Sequence, residues 1–420
     1  MKHRSCPSNV HFPSVSEQMD AICQGALEIV PEEALVRKLE RSALTGQPLV
    51  VKQGFDPTRA DLHIGHAVSI RKLRAFQEMG HDVVFVVGDY TALIGDPTGR
   101  SELRPRLTEE EVAENARTYQ EQAFRILDPA RTRVEHNSTW LRPLQLADIL
   151  KLTAQYTVAR MLERDDFARR YQDGRPISVV EFLYPLMQAY DSVVLKADVE
   201  LGGSDQKFNL LVARDIQERY GQEPQVCLLM PLLRGTDGAH KMSKSYDNYV
   251  GLADAPDQQY GKTMSIPDAL LEEWLTLASG LGGAELAAAV EGARTEPYRA
   301  KRDLAARVVD TYHGAGAGAA ASEAFDRLFK RREIPADVPT VQVSAQDPAL
   351  APADGTVSLA RLLARTGLAS SNGDAARQLD QGAVSVDGER AGGRDARLAA
   401  TGEAVLQKGK RHFVRVRFDG

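Results

Sequence analysis

Two pairs of nitrogen-bearing side chains, far apart in the chain, have the types and spacing to work on a polyphosphate. His63 and His66 stand in GFDPTRADLHIGH, residues 54–66, and Lys241 and Lys244 in HKMSKS, residues 240–245. Gly54 permits a tight turn or a close approach of backbone to a ligand, and Pro57 restricts Asp56 to extended geometry, so a rigid loop is expected there. Asp61 is placed to cap a following helix. That helix carries both histidines near its start, where unpaired N–H groups and the helix dipole favour an anion. Two imidazoles there can donate hydrogen bonds to phosphate oxygens, and Gly65 between them leaves room for a flat base. The lysines stand three residues apart on a segment flanked by Gly and Ser, where flexible ammonium groups can close over a polyphosphate. Each motif alone has a plain alternative: surface histidines met by chance on a capped helix, or a solvated lysine cluster.

The elements around them must bring both motifs to one place. Pro31 opens a helix that stops at Gly46, a strand follows at 49–51, and a helix with Ile64, Val68, Ile70, Leu73 and Phe76 on its apolar face runs to Gly80. Residues 82–87 form an apolar run typical of a strand buried in a parallel sheet, completing a βαβ unit. A glycine-rich loop, GDYTALIGDPTGR, can wall a cleft at the end of that strand. Thr108 and Glu111 have capping-box spacing before a helix reaching about Leu127. A short strand at 134–136, helical patterns over 144–171 and 178–196 with a kink at Pro185, a strand at 199–201, a helix at 207–220 and a strand at 226–230 complete the alternation. HKMSKS follows the last strand, which puts both motifs at the carboxyl edge of one sheet, where nucleotides bind. The expected fold is α/β: a Rossmann-like parallel-sheet domain over residues 1–253 with N-terminal helices at 14–46, an all-helical domain at 254–333, a proline-bearing linker at 334–355, and a small C-terminal α+β domain at 356–420 with helices at 359–365 and 374–381 and strands at 383–388 and 412–418.

Composition limits the possibilities. The 420 residues allow two or three domains, and 43% hydrophobic with 26% charged residues is ordinary for a globular chain. No apolar run reaches the length of a membrane span, and residues 1–13, expected to be poorly ordered, have no apolar signal region, so a cytoplasmic protein is expected. Cys6, Cys23 and Cys227 are too scattered for a disulfide framework or a zinc site. The net charge is −6, but residues 356–420 hold eleven Lys/Arg against seven Asp/Glu, so a basic appendage follows an acidic body and suggests local contact with a polyanion.

Taken together, HIGH, KMSKS and the alternating pattern resemble class I aminoacyl-tRNA synthetases. With LIGDPTG (93–99), EFLYPLMQAYD (181–191) and LGGSDQ (201–206), the resemblance narrows to the bacterial type of tyrosyl-tRNA synthetase and extends over nearly the whole chain. Tyr184, Gln188 and Asp191, at i, i+4 and i+7, share one helix face; an amphipathic surface helix is the alternative there. The resemblance implies L-tyrosine, ATP and tRNA(Tyr) as partners, a homodimer, and Mg²⁺ carried with ATP and held by no fixed protein site. It implies that Thr58 and His63 contact the terminal phosphates, that His66 serves the nucleotide near its ribose, and that Lys241 and Lys244 close on pyrophosphate. Gly54, Asp56, Gly203, Asp205 and Met242 would form the ATP site, with Asp205 on the ribose hydroxyls. Asp96, Tyr184 and Gln188 would hold the amino group of tyrosine, Gln206 its carboxylate and Asp191 its phenol. The C-terminal module resembles the S-four-type RNA-binding domain, but residues 370–373 lack the Lys/Arg often present on its second helix. Lys408, Lys410, Arg411, Arg415 and Arg417 would meet tRNA phosphates there, or serve as a solubilising tail. The helical domain would face the anticodon. One position departs from the family: a tyrosine that often touches the substrate hydroxyl is here Lys52, leaving Asp191 to recognise the phenol with Lys52 or a water. Tryptophanyl-tRNA synthetase, a small-metabolite nucleotidyltransferase and a synthetase-like RNA-binding protein remain alternatives. The YxxxQxxD set favours a phenol over an indole.

Overall fold

The computed structural model describes residues 12–58, 61–98, 107–329, 338–409 and 412–419. The expectation for residues 1–13 falls almost wholly outside these, as do Gly99, Lys410 and Arg411. The chain forms two compact units, Met1–Gly318 and Ala319–Gly420.

The first unit is built on six strands: β1 (Glu28–Val30), β2 (Val50–Phe55), β3 (Asp82–Val87), β4 (Thr132–His136), β5 (Val199–Gly203) and β6 (Val226–Met230). Their order across the sheet is β1-β6-β5-β2-β3-β4, all parallel except β1, which runs antiparallel along β6. The central strands are covered on both faces, so β3 and β6 read as unbroken apolar runs and are buried almost throughout. Alternation assigns the faces. Val51, Phe55, Phe85, Val87, Val199 and Leu228 pack with Ile64, Leu73 and Phe76 of the Ile64–Glu78 helix. The opposite side faces the Val179–Leu195 helix, which packs in turn on Lys207–Arg219 through Leu186, Met187, Ala189, Val193, Val212 and Ile216. Each such side chain contributes roughly 1.5–3 kcal/mol by leaving water.

Strand order reverses between β5 and β2, and both strands end at the same edge of the sheet. This is the switch point at which open α/β sheets form a crevice. Helices Pro256–Met264, Leu271–Ala278, Gly283–Thr295 and Pro297–His313 follow, as expected for a strandless stretch. Their buried Leu271, Trp274, Leu304 and Val308 belong to the same core as β2 and β3, so compactness does not separate residues 254–318 from the sheet.

Three expectations are corrected. The helix of the HIGH motif begins at Ile64 with extended His63 as its N-cap, and Asp61 does not cap it; His63 instead forms a β-bridge with Gly251. The helical pattern over 144–171 is broken into Leu146–Thr153, Val158–Met161 and Asp165–Gln172. The stretch expected as a linker contains β7 (Thr340–Ser344), which pairs parallel with the last strand and so belongs to the C-terminal sheet. Val341 and Val343 alternate with polar residues as a strand requires, a pattern that the flanking prolines disguised.

In the second unit, β8 (Thr356–Ser358) precedes helices Leu359–Arg365 and Asn372–Asp380, and β9 (Val384–Val386), β10 (Glu389–Arg390), β11 (Arg397–Ala399), β12 (Glu403–Lys408) and β13 (His412–Asp419) follow. One sheet runs β10-β9-β12-β13-β7 and β11 pairs with β8. Leu362, Leu363, Leu379, Leu406, Val416 and Phe418 form its core. On β13, Val414, Val416 and Phe418 point inward, which turns Arg415 and Arg417 to the other face.

Candidate active site

A cleft of ≈ 780 Å³ opens at the switch point, and every ATP-, phosphate- and tyrosine-directed residue expected from the sequence lines it: Gly54, Asp56, Thr58, His63, His66, Asp96, Tyr184, Gln188, Asp191, Gly203, Asp205, Gln206, Lys241, Met242 and Lys244. The two motifs are stitched together. Ile64 N–H donates to Val250 O at 2.9 Å, Leu252 N–H to Leu62 O at 3.0 Å, and Gly65 N–H to Met242 Sδ at 3.4 Å. A Cβ on Gly65 would lie 3.0 Å from His63 Nδ1, so glycine keeps this approach open. Asn115 Nδ2 donates to Pro57 O at 3.0 Å and Gln122 Oε1 accepts from Leu62 N–H at 2.8 Å, so the capping-box helix Glu109–Ala123 secures the loop before the histidines. The lysine segment is held by Asn248, whose Oδ1 accepts from Ser243 N–H at 2.8 Å and whose Nδ2 donates to Lys241 O at 3.2 Å.

The nucleotide end is electrostatically balanced. Lys241 Nζ donates to Asp205 Oδ2 at 2.9 Å and Lys244 Nζ to Asp61 Oδ2 at 2.8 Å, so Asp61 is an ion-pair partner. The imidazoles of His63 and His66 lie 3.8 Å apart, and His63 N–H donates to His66 Nδ1 at 3.2 Å. Burial and the two lysines drive both histidines below their ordinary range, His66 to about 4 and His63 well below 6.5. At neutral pH they are therefore uncharged hydrogen-bonding groups, with the positive charge of this end on the lysines. His63 Nδ1 is buried and makes no hydrogen bond among the described residues.

The other end is a set of aimed acceptors. Asp191, 3% exposed, accepts from Trp140 Nε1 at 2.8 Å and Asn137 Nδ2 at 3.3 Å. Burial raises its carboxyl to about 7 against the opposing pull of Lys52 and of these two donors. Asp56 accepts from Thr91 Oγ1 at 2.7 Å and from Tyr184 Oη at 2.8 Å. Room for that carboxylate comes from Gly88, where a Cβ would stand 2.1 Å from Asp56 Oδ1. Asp96 accepts from Thr98 N–H at 2.9 Å and Gln206 Nε2 at 2.8 Å, while Gln206 Oε1 accepts from Asn209 Nδ2 at 2.9 Å. Arg164, 6% exposed, ties this group together by donating to Thr98 Oγ1 at 2.6 Å and Asn209 Oδ1 at 3.2 Å. Lys52 does not line the cleft; its ammonium pairs with Glu200 Oε1 at 2.7 Å.

Sequence reasoning missed Asn137, Trp140, Arg164, Glu200, Asn209 and Asn248. Asn137 follows β4 directly at the carboxyl edge and could have been found from that position; Trp140, in the short helix Ser138–Leu141, and Arg164, at the start of Asp165–Gln172, carry no such signal. Of the phosphate-directed residues expected on the C-terminal module, Arg415 and Arg417 lie on the same face of β13, with Arg417 paired to Glu403. Lys408 Nζ donates to Leu368 O at 2.8 Å, so part of its charge serves the module's own structure.

Comparison with known proteins agrees with this geometry. The family model of tRNA synthetases class I (W and Y) matches residues 44–330. The tyrosine–tRNA ligase of Geobacter sulfurreducens is 50% identical over 408 residues, 96% of this chain and 100% of that protein. That of Moorella thermoacetica is 49% identical over 405 residues, 96% of each chain. Among solved structures, the Archaeoglobus fulgidus tyrosyl-tRNA synthetase complexed with L-tyrosine superposes with a TM-score of 0.60 at 25% identity, covering 74% of this chain and 100% of that one.

Proposed function

The chain belongs to the class I tRNA synthetases, in the branch of the tyrosine–tRNA ligases, and on that premise we propose how its cleft performs the ligation. The reaction has two steps. The carboxylate of L-tyrosine attacks the α-phosphorus of ATP, a P–O bond forms as the bond to the bridging oxygen breaks, and pyrophosphate leaves. A hydroxyl of the terminal tRNA ribose then attacks the tyrosyl carbonyl and AMP departs. Neither step demands a strong acid or base from the protein. The work is to align two anions and to stabilise charge moving onto pyrophosphate.

Lys241 and Lys244 exchange Asp205 and Asp61 for the polyphosphate, which releases Asp205 for the ribose hydroxyls. Neutral His63 and His66 donate hydrogen bonds, with Thr58 beside His63 at the terminal phosphates and His66 nearer the ribose. Gly54, Gly203 and Met242 admit the nucleotide against the backbone. Mg²⁺ carried with ATP would supply further positive charge at the phosphates, and no residue of this chain is assigned to hold it.

At the far end, the ammonium of tyrosine is received by acceptors only: the Tyr184 oxygen, whose proton is engaged by Asp56, the Gln188 carbonyl and Asp96. Gln206 faces the substrate carboxylate, with Asn209 behind it donating to its Oε1. Asp191 accepts from the phenol. Phenylalanine would leave that buried carboxylate short of a partner, which is the physical basis of its rejection.

Asp191 carries this reading: a buried carboxylate at the end of the cleft, held by Trp140 and Asn137, suits a hydroxyl-bearing ring. The test is ATP–pyrophosphate exchange with each of the twenty amino acids. Tyrosine alone should support it; exchange with tryptophan in place of tyrosine would contradict the assignment.

The same proposal includes a homodimer and a cytoplasmic setting. Leu146, Leu150, Val158, Tyr171 and Val179 are large apolar side chains exposed within one stretch of chain, which supports a subunit contact there. No described helix is long and apolar enough to cross a membrane. We also assign tRNA phosphate contacts to the face of β13 that carries half-buried Arg415 and exposed Arg417, and anticodon recognition to the helices after residue 254.

A further inference from the structure

Lys52 and Glu200 are direct cross-strand partners on β2 and β5, and each is 1% exposed. Taking both charges out of water is costly, and such a pair is a poor source of stability compared with apolar packing. Its place is explained by what surrounds it. Besides Lys52 Nζ at 2.7 Å, the Glu200 carboxylate accepts from Gln188 Nε2 at 3.1 Å, Ser192 Oγ at 3.2 Å and Gln225 Nε2. An ionised carboxylate can only accept, so it fixes which end of the Gln188 amide faces it. The nitrogen is taken by Glu200. The oxygen is left buried, without a hydrogen bond among the described residues, on a side chain that lines the cleft.

We propose that the Lys52–Glu200 pair is a positioning device for amino-acid recognition: Glu200 locks the Gln188 amide with its carbonyl oxygen towards the substrate ammonium, and Lys52, 2.7 Å from Glu200 Oε1, holds that carboxylate in place as the acceptor. This rests on the reading that the cleft takes tyrosine. Lys52 then acts through Glu200 and Gln188 on the amine, and leaves the phenol to Asp191. Lys52 pulls the Asp191 carboxyl down and Glu200, the weaker influence there, pushes it up.

The test separates the amine from the rest of the substrate. Glu200→Gln keeps size and removes the obligate acceptor, so the Gln188 amide loses its fixed sense. In ATP–pyrophosphate exchange, KM for tyrosine is expected to rise about tenfold or more with KM for ATP unchanged. Competitive inhibition by tyramine, which keeps the amine, should weaken in parallel. Inhibition by 3-(4-hydroxyphenyl)propanoate, which keeps phenol and carboxylate but has no amine, should be unaffected. The double variant Lys52→Met with Glu200→Gln leaves no unpaired buried charge, and should show the same amine-specific loss in a protein that folds. Equal loss for the analogue without an amine, or an unchanged KM for tyrosine in either variant, would overturn the proposal. A wild-type protein without tyrosine-dependent exchange would overturn the underlying cleft reading as well, and is told apart by needing no variant.

Discussion

Lys244 is paired with Asp61, outside the amino-acid end of the cleft, and in the proposed mechanism it acts as charge develops on the leaving pyrophosphate. Lys244→Ala should raise the barrier to adenylate formation by about 2–4 kcal/mol while leaving tyrosine affinity nearly unchanged. Single-turnover kinetics with equilibrium tyrosine binding measures both; a normal rate with weakened tyrosine binding would count against the role. Asp191 carries a pH signature. Its carboxyl, raised to about 7, keeps a proton that the unfolded chain gives up near the ordinary 3.8. Its linkage contribution to stability is therefore full below about pH 4 and lost as pH rises towards 7. Substrate recognition runs the other way, because the ionised form is the better acceptor for a phenol. kcat/KM for tyrosine should climb through an apparent pKa near 7 and lose that limb in Asp191→Asn; a wild-type profile flat across this range would contradict it. His63, His66, Lys241, Lys244 and Asp191 were legible because their motifs are contiguous in sequence. Trp140 was not, because Asp191 reaches it only through long-range packing, as Thr98 and Asn209 reach Arg164.

At the scale of elements, the glycines at strand ends divide into two kinds. A Cβ on Gly88 would strike Asp56 Oδ1 and Thr91 Oγ1, whereas one on Gly54 meets nothing within 4 Å. Gly88→Ala should cost about 1–3 kcal/mol of stability and disturb the Asp56–Tyr184 contact. Gly54→Ala should leave the thermal midpoint unchanged and raise KM for ATP, since only the ligand needs that space. Calorimetry with steady-state kinetics separates them, and a destabilised Gly54→Ala would show that the glycine serves the fold. The same scale shows where sequence patterns mislead. Asp61 has the residue type of an N-cap, yet the bridge from His63 to Gly251 keeps the chain extended until Ile64, a tertiary constraint that local propensity does not contain. β7 was hidden by neighbouring prolines, and β11 and β12 by the glycines around them. By contrast β3 and β6, unbroken apolar runs of strand length, were read at the correct residues.

For the whole molecule, the residues proposed for catalysis all lie in the first compact unit and Arg415 and Arg417 of β13 in the second. A chain ending before residue 338 should form tyrosyl-adenylate normally and charge tRNA poorly, and the salt dependence of tRNA binding should flatten with loss of the arginine face. The cut must precede β7, because one placed at 356 would remove the partner of that strand. Replacing Leu146 and Leu150 by Asp should shift the protein towards monomer in sedimentation; an unaltered dimer would place the subunit contact elsewhere. The most direct measurement of the central claim is a crystal structure with a sulfamoyl analogue of tyrosyl-adenylate. The phenol oxygen is expected within hydrogen-bond distance of the Asp191 carboxylate, the amine against Tyr184 and Gln188 Oε1, and the adenosine between His66 and Met242. An analogue bound in the reverse sense, with its phenol at the histidines and its base at Asp191, would contradict the account.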